Sequence, residues 1–326
     1  MRYVFRRLGF YVISAWAAIT MNFMIPRLMP GNPIEVLIAR EKGRISSSAL
    51  QALSIAFGLN TKAGLFRQYV SYWVRLFHGN LGLSITYYPA SVVSVIEAAL
   101  PWTIVLIGLS TVVSFALGTA LGVLVGWRRG SWLDSLLPAT TFFSSVPYFW
   151  LALIALTIFG VTLGWFPISG GYSPATEIGF NGAFIVSAVY HGVLPAITIV
   201  VSSVAGWLLG MRNMMVTTLA EDYITLAEAK GLGGRRVMFI YAARNAILPS
   251  IASFAMSLGF IVSGAVLVEV VFSYPGVGYL LFEGVSNEDY PLMQGIFLII
   301  TLAVLVANLL ADLVYVALDP RTRQEA

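Results

Sequence analysis

The chain has 326 residues and a formal net charge of +4, with 58% hydrophobic and 10% charged residues. A soluble domain carries about 25% charged residues, so this composition predicts an integral membrane protein. The small net charge gives no support for a nucleic-acid partner, and the absence of cysteine excludes disulfides and thiolate sites. Only His78 and His191 could offer imidazole, which argues against a multi-histidine metal site.

Apolar segments long enough to cross a bilayer recur along the whole chain. A spanning helix needs about 20 apolar residues, and lipid offers no partner to a free backbone amide, so each span should be helical. We therefore predict an all-α integral membrane protein, a single membrane domain over residues 1–326. Its six predicted spans are roughly 8–28, 102–126, 136–159, 193–211, 249–271 and 294–317. The first is longer than the apolar core of a signal peptide and is expected to be retained.

The positions of lysine and arginine predict the orientation. With the N-terminus in the cytoplasm, the inner segments hold twelve of the nineteen cations. The other seven lie in one long outer segment, 27–98, and the two short outer loops, 160–192 and 272–293, hold none. Long loops cross regardless of charge, so this distribution predicts that both termini and the loop 212–248 are cytoplasmic.

The outer segment 29–98 is too long for a simple turn and is predicted to be largely helical. Residues 46–59 and 65–77 have helix-like apolar spacing. In the second of these, one stripe is formed by Tyr69, Trp73, Leu76 and Phe77. We expect this stripe to pack on the membrane domain rather than to bind a ligand.

Small residues recur on one face of the second predicted span. Gly118, Gly122 and Gly126 are four residues apart, a spacing that lets two helices approach closely. The partner helix is expected within this chain, and a contact with another subunit is the alternative.

Polar and ionisable residues in the apolar segments are candidates for a substrate pathway. Ser144, Ser145 and Pro147 interrupt the third predicted span, where proline bends a helix and leaves either a structural kink or a polar path. Ionisable groups near a membrane are functional candidates by default, and the chain has three such groups: Glu97, Glu269 and Asp312. All three lie near predicted span ends, where they could reach water. The pathway candidates are therefore Ser144, Ser145, Pro147 and Glu269.

The loop 212–248 carries signals for two short helices. Thr218 and Glu221 match a capping box, and the helix that follows should run through Ala229. Gly231 fits the left-handed position that ends a helix, and a second helix should begin near Arg235. A helical hairpin of this kind suggests a socket on another protein.

Two interpretations of this hairpin are open from the residues alone. Exposed Leu232, Val237 and Met238 could fill an apolar groove while Arg235 and Arg236 pair with acids at its rim. Alternatively, the arginines only hold the membrane topology.

The same loop resembles the EAA loop of ABC-importer permeases, in the branch that handles dipeptides and oligopeptides. The matching residues are "TLAEAKGL", Thr225 to Leu232, followed by "RNAILP", Arg244 to Pro249, with eighteen positions from Gly231 to Pro249 (249 − 231). Further motifs that resemble this family follow in order at Met29–Pro33, Phe57–Asn60, Gly79–Ser84, Leu163–Gly170, His191–Ile199, Val268–Gly278 and Asp319–Arg323.

The resemblance implies a permease subunit in a prokaryotic cell membrane. It implies as partners a second homologous permease, two cytoplasmic ABC ATPases and an extracytoplasmic solute-binding protein. ATP and Mg would be bound by the ATPases, and no cofactor by this chain. Coupling to an ATPase would involve Thr225, Ala229, Gly231, Leu232, Arg235 and Arg236.

No enzyme motif accompanies these features. The chain has no G-x-x-x-x-G-K-[ST] loop, no H-E-x-x-H and no G-x-S-x-G, so a transport subunit is expected rather than an enzyme. A self-powered secondary transporter is the less favoured alternative, because neither a mid-span carboxylate pair nor similarity between halves is found. Within the family, the substrate could also be a nickel chelate, glutathione or an oligosaccharide.

Overall fold

The computed structural model describes residues 2–28, 64–128, 130–132, 135, 137–259, 261 and 265–318. Regular structure in these residues is helical, apart from one isolated bridge between Leu83 and Ser91, which confirms the all-α prediction. The α-helices are α1 (Arg2–Leu28), α2 (Leu65–Phe77), α3 (Val92–Trp127), α4 (Leu137–Ser145), α5 (Tyr148–Ala155), α6 (Gly182–Thr218), α7 (Asp222–Ala229), α8 (Gly234–Arg236), α9 (Arg244–Ala246), α10 (Leu248–Gly259), α11 (Val266–Val271), α12 (Val277–Ser286) and α13 (Tyr290–Leu318). Two π-helices, Leu156–Thr162 and Val237–Ala243, continue α5 and α8.

Four helices in the described part of the chain are apolar and long enough to cross a membrane: α1, α3, α6 and α13. A fifth candidate is the run Gly234–Ala246 followed by Leu248–Gly259, two segments bent by 48° at their junction. The prediction of exactly six spans, and of both termini in the cytoplasm, stays a prediction.

Two of the predicted spans are interrupted rather than continuous. Segment 136–159 is divided at Pro147, between the end of α4 at Ser145 and the start of α5 at Tyr148. Proline lacks a backbone donor and cannot continue the ladder, so the predicted bend occurs here as a break. Segment 249–271 is likewise divided, since α10 ends at Gly259 and α11 begins at Val266.

Helices α3 and α6 begin well before the predicted spans, with 36 and 37 residues respectively. At 1.5 Å per residue they extend roughly 54 Å, beyond the roughly 30 Å hydrocarbon core. Their first turns are fixed by side-chain caps: Ser91 Oγ accepts from the Ser94 N–H at 3.1 Å, and Asn181 Oδ1 accepts from the Phe184 N–H at 2.8 Å. Hydropathy marks only the lipid-buried part of such a helix, so the predicted bounds were too short.

The glycine face of α3 is filled by α6 of the same chain. A Cβ on Gly118 would lie 2.7 Å from the Val204 carbonyl oxygen, and one on Gly122 would lie 2.7 Å from the Leu208 carbonyl oxygen. At Gly126 it would lie 2.6 Å from Met215 Cβ. The close approach therefore joins two helices of this chain, and the alternative of an intersubunit contact at this face is wrong.

The predicted aromatic stripe of the outer segment lies on α2 and packs on the membrane helices. Tyr69, Trp73 and Leu76 are partly buried against a core of Ile19, Phe23, Tyr72 and Leu298. The Tyr69 hydroxyl is also hydrogen bonded to Thr20 Oγ1 at 2.8 Å. The expected packing is confirmed, except that Phe77 is 81% exposed. The predicted helix at 46–59 and the motifs at 29–33, 57–60 and 319–323 lie outside the described residues.

Candidate coupling site

The first half of the loop between α6 and α10 is the helix α7, which ends in a glycine motif as predicted. Gly231 has a φ of +75°, and its N–H bonds to the Glu228 carbonyl oxygen at 2.8 Å. The Leu232 N–H bonds to the Ala227 carbonyl oxygen at 3.3 Å. These two bonds form a Schellman motif, in which a left-handed residue satisfies the last free carbonyls of a helix. The chain is thus turned sharply at a fixed position.

The start of α7 differs from the prediction. Thr218 is the last residue of α6, and Glu221 is the N-cap of α7 without a side-chain hydrogen bond to the helix. The predicted capping box is wrong, because α6 continues to the first residue of the motif. The turn between the two helices is instead closed by the backbone, with the Glu221 N–H bonded to the Thr218 carbonyl oxygen at 3.2 Å.

The second half of the loop is one continuous helical run from Gly234 to Ala246, with a π-helical centre at Val237–Ala243. Gly233 precedes it in extended conformation, and the Arg236 N–H bonds to the Gly233 carbonyl oxygen at 2.8 Å. The predicted second helix near Arg235 is confirmed.

A shared apolar core joins both halves of the loop to the long helices. Its fully or nearly fully buried members from the loop are Ile224, Ala227, Val237, Met238, Ala242 and Ala246. They pack with Val123 of α3 and with Met211 and Met215 of α6. A displacement of the loop must therefore move the ends of α3 and α6 with it, since packed cores shift as units rather than deform continuously.

The same core corrects the predicted contact surface. Val237 and Met238 are 0% and 7% exposed, so they fill the chain's own interior and cannot enter a groove on a partner. Leu232 is half-buried and packs against the same core. The sequence showed that these residues are apolar but not which surface covers them.

The other predicted coupling residues are exposed together on the outside of the hairpin. They are Thr225, Ala229, Gly231, Arg235 and Arg236. Two apolar side chains that the sequence reasoning missed are exposed beside them, Leu226 at 56% and Phe239 at 55%. The apolar pattern could have pointed to both residues, because each is an apolar residue on the face of a short helix opposite to its buried face.

Of the predicted pathway candidates, Ser145 and Pro147 lie at the exposed break between α4 and α5. The Ser145 hydroxyl donates to the Thr141 carbonyl oxygen at 2.9 Å. The side chain of Ser144 lies outside the described residues, as does that of Asp312. Glu97 is exposed near the start of α3.

Glu269 is fully buried and caps a neighbouring helix. Its Oε2 accepts from the Gly278 N–H at 2.7 Å and the Tyr279 N–H at 3.1 Å, which are free amides in the first turn of α12. Its Oε1 accepts from the Thr103 hydroxyl of α3 at 2.8 Å. Thr103 Oγ1 in turn accepts from the Val277 N–H at 2.8 Å. The carboxylate thus joins α11, α12 and α3, which favours a structural role over contact with substrate.

A second buried carboxylate, missed by the sequence reasoning, has a similar role. Asp289 is 0% exposed, and its Oδ1 accepts from the Leu292 N–H at 3.1 Å in the first turn of α13. Its Oδ2 accepts from the Thr86 N–H at 2.8 Å and the Ser84 hydroxyl at 2.5 Å. An aspartate one residue before a helix is a usual capping signal and could have been found. The contact with residues 84 and 86 could not, because it depends on tertiary structure.

Comparison with known proteins identifies the family of this chain. Residues 118–324 match the model of the "Binding-protein-dependent transport system inner membrane component" family. The "Di/tripeptide transport system permease protein DppB" of Pseudomonas aeruginosa is 34% identical, over 100% of this chain and 99% of that protein. The "Oligopeptide transport system permease protein AppB" of Bacillus subtilis is 32% identical over 98% of each chain.

A third relative, the "Dipeptide transport system permease protein DppB" of Escherichia coli K12, is 33% identical over 100% of this chain and 99% of its own length. The family match covers the coupling hairpin, both buried carboxylates, α6 and the part of α3 from Gly118 onward that carries the glycine contact. The chain belongs to the family of inner membrane components of binding-protein-dependent transport systems.

Proposed function

We propose that the chain is one of two permease subunits of an ATP-driven importer of peptides, and that its hairpin 218–249 couples the membrane helices to a cytoplasmic ATPase. Family membership makes the chain a multi-pass inner-membrane transport component. The proposal adds the energy source, the substrate class and the coupling residues. In this assembly, a second permease completes the pathway, two ATPase subunits bind ATP and Mg, and an extracytoplasmic protein delivers the substrate.

The observation that carries the coupling proposal is the shared core beneath the hairpin. One side of the hairpin packs against Val123, Met211 and Met215, at the ends of the two longest helices. Its other side exposes Arg235, Arg236 and the apolar Leu226. A partner that moved this exposed side would move α3 and α6, because the buried side of the hairpin packs directly on them.

Peptides are the substrate class that the relatives favour. All three relatives named above carry names of di-, tri- or oligopeptide transport systems. Nickel chelates, glutathione and oligosaccharides, the other solutes considered, do not appear in those names. The pathway candidates Ser144, Ser145, Pro147 and Glu269 stay predictions. Ser145 and Pro147 lie at the exposed helix break, and the contacts of Glu269 favour a structural role.

Co-purification with the ATPase tests the coupling proposal. The chain would be tagged and produced together with ABC ATPase subunits of the same organism, and the ATPase retained on the affinity column would be quantified. Arg235→Glu reverses a charge on the exposed side and is expected to reduce retention at least tenfold. Arg128→Glu, at the end of α3 and outside the hairpin, is the matched control and should retain the ATPase as the native chain does.

Equal retention by Arg235→Glu, Arg236→Glu and the control would contradict docking on this surface. ATP hydrolysis by the purified chain alone would contradict the assignment of ATP hydrolysis to separate ATPase subunits.

A further inference from the structure

A groove lies between α7 and the helical run 234–246, on the side where α10 begins. Its volume is 560 Å³. It is lined by Tyr223, Ile240, Tyr241, Arg244, Asn245 and Leu248. Arg244 is exposed and is the one charged residue among these six.

The polar residues that line the groove can donate hydrogen bonds to a ligand. Asn245 Nδ2 donates to the Tyr223 hydroxyl oxygen at 3.1 Å and to the Tyr241 carbonyl oxygen at 3.0 Å. A side-chain amide has two N–H donors, so both are used here. The Tyr223 hydroxyl keeps its own proton to donate, and it lies with the Arg244 guanidinium on the groove. A cation and a hydroxyl donor suit an anion with several oxygens, such as a phosphate diester.

The apolar lining residues Ile240 and Leu248 lie four positions before and after Arg244, and on the Leu248 side the apolar surface continues along α10. Ile240 and Leu248 are 52% and 55% exposed. On α10, Ile251 and Leu258 are also exposed, at 38% and 39%. Positions 248, 251 and 258 fall on one face of a helix, so the apolar wall runs from the groove along a candidate membrane span.

We propose that this groove binds an anionic glycerophospholipid of the inner leaflet. The phosphate accepts hydrogen bonds from Arg244 and Tyr223, and an acyl chain lies along Leu248 and Ile251. Basic sites beside spanning helices on the cytoplasmic side are suited to anionic headgroups. The inference rests on the proposed function for one point, the cytoplasmic position of the hairpin.

A lipid fits this groove better than a protein side chain because the polar lining around Arg244 is followed by an exposed apolar wall on α10. An acidic side chain of a partner would satisfy Arg244 and leave the wall of Leu248, Ile251 and Leu258 uncovered. A phospholipid covers Arg244 and this apolar wall with one molecule. Bound lipid would also fill the space beside the 48° junction of the run 234–246 with α10.

Native mass spectrometry of the purified, delipidated full chain tests this proposal. Phosphatidylglycerol, phosphatidylcholine and soluble glycerol 3-phosphate would be titrated separately. Phosphatidylglycerol is expected to bind at least fivefold more tightly than phosphatidylcholine, and glycerol 3-phosphate is expected not to be retained. Arg244→Gln should weaken phosphatidylglycerol binding about fivefold, the change expected for one cation at a membrane surface. The control Arg128→Gln, an exposed arginine outside the groove, should bind as the native chain does.

Tyr223→Phe gives a second measurement if Arg244→Gln does not fold. Loss of its hydroxyl should weaken phosphatidylglycerol binding roughly threefold, in the range for one hydrogen bond. Equal affinity for the two phospholipids, or native affinity in both variants, would overturn the proposal. Retention of glycerol 3-phosphate would show a site for free phosphate instead, and displacement of the lipid by added ATPase would assign the groove to that partner.

The lipid titration uses the chain without its ATPase, so the two proposals fail separately. A negative titration leaves the importer proposal intact. Loss of ATPase co-purification with intact lipid binding would instead contradict the coupling proposal alone.

Discussion

Replacement of Glu269 isolates the contribution of a buried carboxylate to the contact of α11 with α12 and α3. Its two oxygens accept from the Thr103 hydroxyl and from the Gly278 and Tyr279 amides. The side chain is 0% exposed, so water does not replace these bonds when the acceptor is removed. Glu269→Met keeps most of the side-chain volume and removes both acceptors. Glu269→Gln keeps the shape and one acceptor but places an N–H donor against donors.

The expected cost follows from the three donors. A buried donor left without an acceptor costs roughly 1–3 kcal/mol. Burial of the native carboxylate is itself unfavourable, and its loss offsets part of this cost. We therefore expect a net loss of about 3 kcal/mol for Glu269→Met and somewhat less for Glu269→Gln. At about 2.1 cal/mol/K per residue, the unfolding entropy of 326 residues is roughly 0.7 kcal/mol/K, so this loss corresponds to a fall in Tm of roughly 4–5 °C.

Tryptophan fluorescence in detergent is a suitable assay because the chain has eight tryptophans and no cysteine. Trp102 lies next to Thr103 in the chain and packs edge-on against Tyr274, with ring centroids 5.7 Å apart, so it reports on this region directly. Glu97→Gln, an exposed glutamate on α3, is the control and should melt with the native protein.

The outcome of Glu269→Met decides between hydrogen bonding and packing. If packing alone holds these helices, the methionine variant melts within about 1 °C of the native protein. That result would refute the capping argument. A Tm that falls in the order Glu97→Gln, Glu269→Gln, Glu269→Met supports it.

Three further predictions follow from the described contacts. Gly231→Val should abolish uptake while leaving membrane insertion unchanged, because a β-branched residue is strained at a φ of +75° even though no atom lies within 4 Å of its Cβ. Gly231→Asn is the control and should keep most uptake, because asparagine tolerates this conformation. Equal uptake by the two variants would contradict the argument. Gly122→Ile should prevent the close approach of α3 and α6 and reduce the yield of monodisperse protein in size-exclusion chromatography severalfold. Gly206→Ile is the control and should not reduce the yield, because the space at its Cβ is open. Similar yields of the two variants would count against an intrachain glycine contact. Asp289→Ala should destabilise the junction of α13 with residues 84–86 by about 3 kcal/mol. The measurement is the rate of proteolysis of the outer segment, which should rise. An unchanged rate would show that the hydrogen bonds of Asp289 contribute little to stability.

Local patterns in the sequence determined most of the helices and the ends of the hairpin. Apolar period and length predicted α1, α2 and α13, because a helical face must be apolar to pack or to meet lipid. Gly231 predicted the end of α7, since few other residues adopt a left-handed conformation at low cost. Pro147 predicted the interruption of the third apolar segment. The glycine and proline signals act within one helical turn of the residue that carries them, and the apolar signal acts within the helix itself.

Tertiary structure alone decided what covers each apolar or polar face. Val237 and Met238 pack against α3 and α6 rather than a partner, and no sequence pattern could show this, because periodicity shows which face is apolar and not its neighbour. Glu269 stood out as an ionisable group near a span end, yet its hydroxyl partner, Thr103, is 166 positions away in the chain. A carboxylate in this setting is explained only by the donors that surround it, and those donors are brought together by the fold.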